Sequence, residues 1–394
     1  MEKQELTLDG LRVILSTPRV VAEMPRGRCW YPDLLKFYTG ELMLNHSLNA
    51  DRHDNEHNSQ AVYLSIDEGR TFDFAYDVNG FHNGGGEPRI SLPDGRIVGA
   101  SSFLRPGPSP QGQSFRAHHW CYDQGGRRYA VEPWRVVVEG FPREVDRWRL
   151  SSRTSWTTIN WFSDILIVDG GAWLSLMSLK YRGDERWTVV AVVSSDEGRH
   201  WQYLSTVAVP DDAPRGLEGF GEPCLVRLPN GDLMTVMRVG QHQKQPDQWL
   251  TRTYSRDGGR SWTAIDVLPA WSVAPQICRL HNDVLVLSTG RPGVYLWLST
   301  DERAAEWHPI DVLDWHNTAL DRPLHIERDR ILGPEPASAK GQTTSYTAIV
   351  EVSPNRIYLV YDRTPYGWKP VPAESGERSR IFLLEAEVQR IATA

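Results

Sequence analysis

The apolar positions of this chain fall in short runs broken by turn residues, and Gly221–Trp262 shows the pattern most completely. Glu222-Pro223 leads into the apolar run Cys224–Leu228, Pro229-Asn230-Gly231 interrupts it, a second run ends at Arg238, and Ser255-Arg256-Asp257-Gly258-Gly259-Arg260-Ser261-Trp262 closes the unit. Runs of this length between Gly, Pro and Asn predict strands. Asn-Gly between two of them predicts a type I′ hairpin, whose central residues both need φ > 0. In the closing turn the Asp can accept from nearby backbone N–H groups, Gly supplies φ > 0, and Trp packs between units.

The rest of the chain falls into copies. Six hairpin turns are flanked by apolar runs: Thr39-Gly40-Glu41, Pro93-Asp94-Gly95, Asp169-Gly170-Gly171, Pro229-Asn230-Gly231, His281-Asn282-Asp283 and Pro354-Asn355-Arg356. Their spacing averages about 63 residues, which suits a four-stranded blade with long loops. The closing turn recurs in full at Ser65–Phe72, Ser194–Trp201 and Ser255–Trp262, in worn form at Cys121–Gly125, and without its Gly at Ser299-Thr300-Asp301 with Trp307. Helical periodicity is scarce, and the polar stretch around Glu374 reads as a loop. Arg380–Ile391 reads as a final strand with a short tail. The expected fold is all-β: one domain, residues 1–394, forming a six-bladed β-propeller with four-stranded antiparallel blades. Leu11–Leu15 or Ile381–Ala386 would complete the blade that the other terminus begins.

Composition narrows the function classes. With 40% hydrophobic and 24% charged residues the chain is globular. A net charge of −7 argues against a nucleic-acid surface. No stretch reaches the roughly 18 apolar residues of a membrane span, and Met1–Arg12 shows no signal-type run. The expectation is a cytoplasmic chain as written, or a secreted or periplasmic one if the N-terminus is trimmed. The four cysteines, Cys29, Cys121, Cys224 and Cys278, have no paired spacing and read as free thiols.

The Ser-x-Asp-x-Gly-x-x-Trp turns and the blade spacing resemble the sialidase (neuraminidase) superfamily, whose Asp-box, or BNR, repeats have this form. The resemblance spans nearly the whole chain. The Asp-box itself carries no chemistry, so function rests on the site.

In a propeller the inner strands begin at one end of the central channel. Those starts are Trp30-Tyr31-Pro32, Glu87-Pro88, Thr158–Trp161, Glu222-Pro223, Ala274-Pro275 and Ser345-Tyr346, and the outgoing strands end at His46, Ser101, Ser178, Arg238, Arg291 and Asp362-Arg363. The resemblance implies that Tyr346, on the sixth blade, is the nucleophile of a retaining exo-glycosidase and that Glu222, on the fourth, takes its proton. A phenol of pKa near 10 needs such a base, and a neutral nucleophile does not repel an anionic sugar. Arg238 and Arg291 stand where the family clamps a substrate carboxylate. Trp30 stands where a third arginine is expected, with Arg28 two residues away; an aromatic there would offer a stacking face for a sugar ring. The family's acid/base aspartate comes from a first-blade loop, here Asp51–His57, making Asp54 or Asp51 the candidate; Arg52 in that loop and Glu87 on the second blade are candidate substrate contacts.

Each of these residues has a structural alternative. Tyr346 could be a strand tyrosine, and Glu222 and Glu87, which share a Glu-Pro dipeptide, could cap loops or pair with arginines. The first-blade loop could be a solvated segment, or a metal site built from His53, His57, Asp51, Asp54 and Glu56. His118 and His119, after the Pro/Gly-rich Arg105–Gly112 segment, could contact sugar, or act as bases in a polysaccharide lyase. Some of the 16 tryptophans, such as Trp30, Trp134 or Trp271, could line a pocket. The expected partner is a glycan or oligosaccharide, with no cofactor, nucleic acid or membrane implied and no oligomeric state indicated. The alternatives are a lyase or other glycosidase using His and Tyr, and a propeller that binds glycan without turnover.

Overall fold

The computed structural model describes residues 3–24, 29–48, 59–79, 87–107, 113–149, 155–213, 218–239, 249–271, 273–328, 341–367 and 371–392. The first unit is Trp30–Lys36, Leu42–Ser47, Ser59–Ser65 and Asp73–Asn79; the fourth is Phe220–Arg227, Leu233–Val239, Trp249–Ser255 and Asp266–Trp271; the fifth is Gln276–Arg279, Leu285–Gly290, Val294–Ser299 and His308–Asp311. Each is a four-stranded antiparallel meander. The second unit (Arg89–Ser91, Ile97–Ala100, Phe115–Asp123, Arg128–Glu139) joins the third (Leu166–Ile167, Trp173–Leu179, Thr188–Ser194, His200–Ala208), because Val137–Glu139 pairs in parallel with His200–Gln202. The expected four-stranded antiparallel blades are present, with two additions: the parallel link between the second and third units, and extra strands on the sixth sheet. There Thr347–Ser353, Arg356–Arg363 and Ser379–Arg390 are joined by Leu11–Ser16 and Arg19–Met24, both on Ser379–Arg390, with Lys3–Leu8 outside. Of the two expected closing runs, Leu11–Leu15 is the one added to the last blade, paired with the strand that contains Ile381–Ala386.

The core shows why the sheets close into a ring. A sheet with two apolar faces needs a neighbour on each side. Leu35, Phe37, Ile97 and Trp120 fill the space between units one and two; Phe115, Val136, Trp173 and Trp201 that between two and three; Leu176, Phe220 and Met237 that between three and four. Val226, Leu285 and Trp297 join four to five, Leu296, Leu359 and Phe382 join five to six, and Leu34, Leu44 and Val360 join six back to one. The architecture is therefore a six-bladed β-propeller.

Turn chemistry differs from the expectation in one respect. In Leu228–Asp232, Gly231 N donates to Leu228 O (3.0 Å) and Leu228 N to Asp232 O (2.8 Å), with Gly231 at φ +92°. Pro229 fixes a negative φ at the first turn position, so the loop is a type I turn followed by a left-handed residue, and the type I′ assignment is corrected. The same pair of hydrogen bonds recurs at Phe37, Leu92, Val168 and Leu280, where Gly40, Gly95, Gly171 and Asp283 take the left-handed place. The helix Val312–Ala319 was not read from the sequence; Asp311, whose side chain accepts from Asp314 N, is its N-cap signal.

The Asp-boxes repeat atom for atom. Ser65, Ser194 and Ser255 each donate Oγ–H to the Asp two residues on and accept from the Gly N–H four residues on. These turns wedge between blades: Tyr358 of the sixth unit donates to Glu68 O (2.8 Å), and a Cβ on Gly69, at φ +81°, would lie 2.3 Å from the Tyr358 ring. Gly69→Ala is expected to destabilise by about 2–4 kcal/mol, from left-handed strain plus overpacking, seen as a lower urea midpoint at unchanged m. The Asp-boxes also set acid stability. Thr71 N–H and Oγ–H hold Asp67 down to about 2, and Ser261 Oγ–H and N–H do the same for Asp257. A folded-state pKa below the usual value stabilises above about pH 4 and is lost as pH falls toward 2. Asp67→Asn with Asp257→Asn should therefore flatten the fall in urea midpoint between pH 4 and pH 2; an unchanged slope would contradict this.

Candidate active site

Inner-strand starts at the channel mouth share a local device. Tyr31, Glu222 and Ala274, each followed by Pro, and Ser345, followed by Tyr346, have φ of +53°, +44°, +35° and +62°. In the first and fourth units the register shifts at this point, between Trp30 and Asp33 and between Gly221 and Cys224. Bulges of this kind re-aim side chains, at a cost of about 1–3 kcal/mol for each left-handed non-glycine residue. Four such residues at the inner-strand starts make this rim the candidate site.

What the bulges bring together is a phenol and a carboxylate. Tyr346 Oη donates to Glu222 Oε1 at 2.5 Å. The same oxygen accepts from Arg238 Nη1 (2.9 Å), and Glu222 Oε2 accepts from Ala274 N (2.9 Å). Burial raises the Glu222 pKa, but the Arg238 charge and the hydrogen bonds from Tyr346, Ala274 and Arg238 outweigh it, and the net shift is downward. Burial, then the Glu222 charge, pushes Tyr346 upward, against the opposing pull of Arg238 and Arg291. At neutral pH the pair is a phenol facing an ionised carboxylate, the protonation state a nucleophile and its base require. Arg291 donates Nη2–H to Thr344 O (2.9 Å), and its guanidinium carbon lies 5.8 Å from the Tyr346 ring centroid. Phe162, Ser163, Asp164, Pro275 and Gln276 line a narrow cleft beside Glu222.

Other candidates fall elsewhere. Trp30 is 2% exposed, its ring edge-on to Tyr31 at 5.9 Å, so it offers no face to a sugar. Tyr31, which sequence reasoning passed over, is the aromatic beside the dyad, 4.6 Å from the Tyr346 ring; its signal was the Tyr-Pro dipeptide in register with Glu222-Pro223. Glu87 is buried and accepts from Ser102 Oγ at 3.4 Å. His118 and His119 belong to the third strand of the second unit, whereas the dyad is carried by inner-strand starts. The buried His118 accepts from Trp134 N (3.3 Å) and packs 3.9 Å from its ring, which Arg105 also covers. His119 stands 3.7 Å from Glu132, with burial lowering its pKa. Asp51, Arg52, His53, Asp54, Glu56, His57 and Arg28, and the Trp271 side chain, lie outside the described residues. Among the described residues no group of three or more His, Cys, Asp or Glu is arranged to hold a metal, and the four cysteines are free thiols.

The buried Asp362 was noted in the sequence only as a strand end. It accepts from Thr343 Oγ1 (2.8 Å), Thr344 N (2.7 Å) and Thr344 Oγ1, and burial pushes its carboxyl up to about 6 despite these bonds.

Fold and site together define a β-propeller with a phenol–carboxylate dyad at its channel mouth. The chain belongs to the BNR repeat-like domain family, whose sequence model matches residues 151–359. Comparison with curated protein sequences finds no match. Among solved structures, a protein of unknown function from Dyadobacter fermentans superposes with TM-score 0.67 at 17% identity, over 97% of this chain and 100% of the other. A Hadza microbial sialidase, Hz136, gives 0.60 at 14%, over 92% and 66%. The GH93 α-L-arabinofuranosidase of Fusarium graminearum gives 0.58 at 12%, over 94% and 97%. At these identities the likeness establishes the shared fold.

Proposed function

We propose that the chain is a retaining exo-glycoside hydrolase that releases a terminal acidic sugar, with Tyr346 as nucleophile and Glu222 as its base. The observation that carries this reading is the 2.5 Å hydrogen bond from Tyr346 Oη to Glu222 Oε1 beside two arginines. As Tyr346 Oη bonds to the anomeric carbon, its proton passes to Glu222 Oε1, and the glycosidic oxygen leaves with a proton from an acid. Asp54 or Asp51 is proposed for that acid. Water then attacks the glycosyl–tyrosine, giving its proton to the aspartate that was deprotonated in the first step, while the C–O bond to tyrosine breaks and the phenolate takes its proton back from Glu222. Arg238 and Arg291 would face the sugar carboxylate.

A second reading, a neutral terminal sugar, is favoured by the engagement of both arginines with protein acceptors, Glu222 Oε1 and Thr344 O, and by Trp30 standing where a third arginine is expected. The likeness to an arabinofuranosidase over nearly its whole length fits this reading too. The test is release of aryl alcohol from glycosides of sialic acid, glucuronic acid, galacturonic acid, rhamnose and arabinose. Cleavage of an acidic member supports the first reading, cleavage of rhamnoside or arabinoside alone the second. Binding without turnover of any member would contradict both.

A further inference from the structure

We propose that Asp362 is the positioning residue of the dyad: its carboxylate fixes the strained backbone that carries Tyr346 and so sets the Tyr346–Glu222 contact. The inference rests on the reading of Tyr346 as nucleophile and adds to it a residue that touches neither substrate nor the reacting oxygen.

Asp362 stands near the end of Arg356–Arg363, the strand paired with Thr347–Ser353, and is fully buried. Its two oxygens collect donors from the segment that precedes Tyr346. Oδ1 accepts from Thr343 Oγ1 and Thr344 N, and Oδ2 from Thr344 Oγ1. The Tyr31 backbone N–H bears on the same carboxylate from the first blade. The two threonine hydroxyls pass this order on. Thr343 Oγ1 accepts from Ser345 N (3.0 Å), and Thr344 Oγ1 accepts from Tyr346 N (3.4 Å). One carboxylate thereby orients four consecutive residues, Thr343 to Tyr346, together with the bulge that sets the Tyr31 ring against Tyr346.

Two residues in this arrangement, Ser345 and Tyr31, have left-handed backbones without being glycine. Such conformations persist only where surrounding bonds over-determine them, and here the bonds converge on Asp362. The groups that bond the carboxylate among the described residues, Thr343 Oγ1–H, Thr344 N–H, Thr344 Oγ1–H and the Tyr31 backbone N–H, are all donors. An amide in its place would turn an NH2 toward an N–H or an O–H. A hydroxyl could rotate to accept from that NH2, but its own proton would then lose the carboxylate acceptor that fixes the orientation in which the hydroxyl oxygen receives Ser345 N–H or Tyr346 N–H. The strain would relax by moving Tyr346, and displacement of a reacting group by about 1 Å costs about a hundredfold in rate.

The test compares Asp362→Asn, Thr344→Val, Thr344→Ser and Tyr346→Phe with wild type on the glycoside that the panel identifies, together with crystal structures of wild type and Asp362→Asn. The expected result is a kcat lower by about a hundredfold in Asp362→Asn and Thr344→Val, with KM within about threefold, recovery in Thr344→Ser, and a Tyr346 Oη to Glu222 Oε1 separation beyond hydrogen-bonding distance. Wild-type kcat in Asp362→Asn, or an unchanged Oη–Oε1 contact, overturns the positioning role even if Tyr346→Phe is inactive. Full activity in Tyr346→Phe instead removes the nucleophile reading, and the crystallographic distance still decides what Asp362 holds. If Asp362→Asn fails to fold, the Thr344 pair decides: equal loss in Val and Ser, or no loss in Val, overturns the proposal.

Discussion

Tyr346→Phe should lower kcat by about a thousandfold or more, with KM changed far less. The substitution removes one oxygen, the atom proposed to bond the anomeric carbon, and leaves the ring against Tyr31. Loss of a nucleophile has effects of this size because the remaining site still binds and orients substrate but must use water directly. A thousandfold corresponds to about 4 kcal/mol of transition-state stabilisation. Stability should change by only about 1–2 kcal/mol, since Glu222 keeps Arg238 and Ala274 as donors. Steady-state kinetics beside a urea titration separate the two effects. Equal kcat in both proteins would end the tyrosine mechanism.

Glu222→Gln is expected to cost about 10²–10⁴ in kcat, the range for loss of a positioned general base. It also removes the counter-charge of Arg238, whose side chain is 19% exposed against 12% for Glu222. Stranding a buried charge costs about 3–5 kcal/mol, and the partial exposure of this pair places the loss near the lower end. The variant should therefore be slow and also less stable by about 3 kcal/mol, a larger loss than in Tyr346→Phe. The pH profile carries the same signature. Glu222 must be ionised to accept the phenolic proton, and Arg238 and its hydrogen bonds hold its carboxyl below the usual 4.5 against the cost of burial. The acid limb of kcat/KM that Glu222 sets should accordingly fall below pH 4.5 and disappear in Glu222→Gln.

The propeller was legible because its signals are local and repeated: a Gly or Asp at the left-handed turn position, and Ser-x-Asp-x-Gly with its own hydrogen bonds. The pairing of Glu222 with Tyr346 was legible only through the family resemblance, which points to a glutamate on the fourth blade and a tyrosine on the sixth; the two side chains are hydrogen-bonded to each other. Three features were not. Asp362 acts through bonds to residues some twenty positions earlier, which strand spacing does not encode. Trp30 falls where the family pattern put an arginine, and only packing reveals that its ring turns inward while Tyr31 faces the dyad. Parallel pairing of Val137–Glu139 with His200–Gln202 joins two repeats that the turn spacing treats as separate. Type I′ geometry at Asn230-Gly231 was a local misreading, corrected by the proline that precedes it.

The account turns on a covalent bond to Tyr346, and the most direct measurement is peptide mapping by mass spectrometry after acid quench of the enzyme with a slowly turned-over fluorinated aryl glycoside. The predicted result is one glycosyl mass added per chain, on the peptide containing Tyr346, and absent from Tyr346→Phe. A glycosyl adduct on a carboxylate, or turnover with inverted anomeric configuration and no adduct, would contradict the central claim.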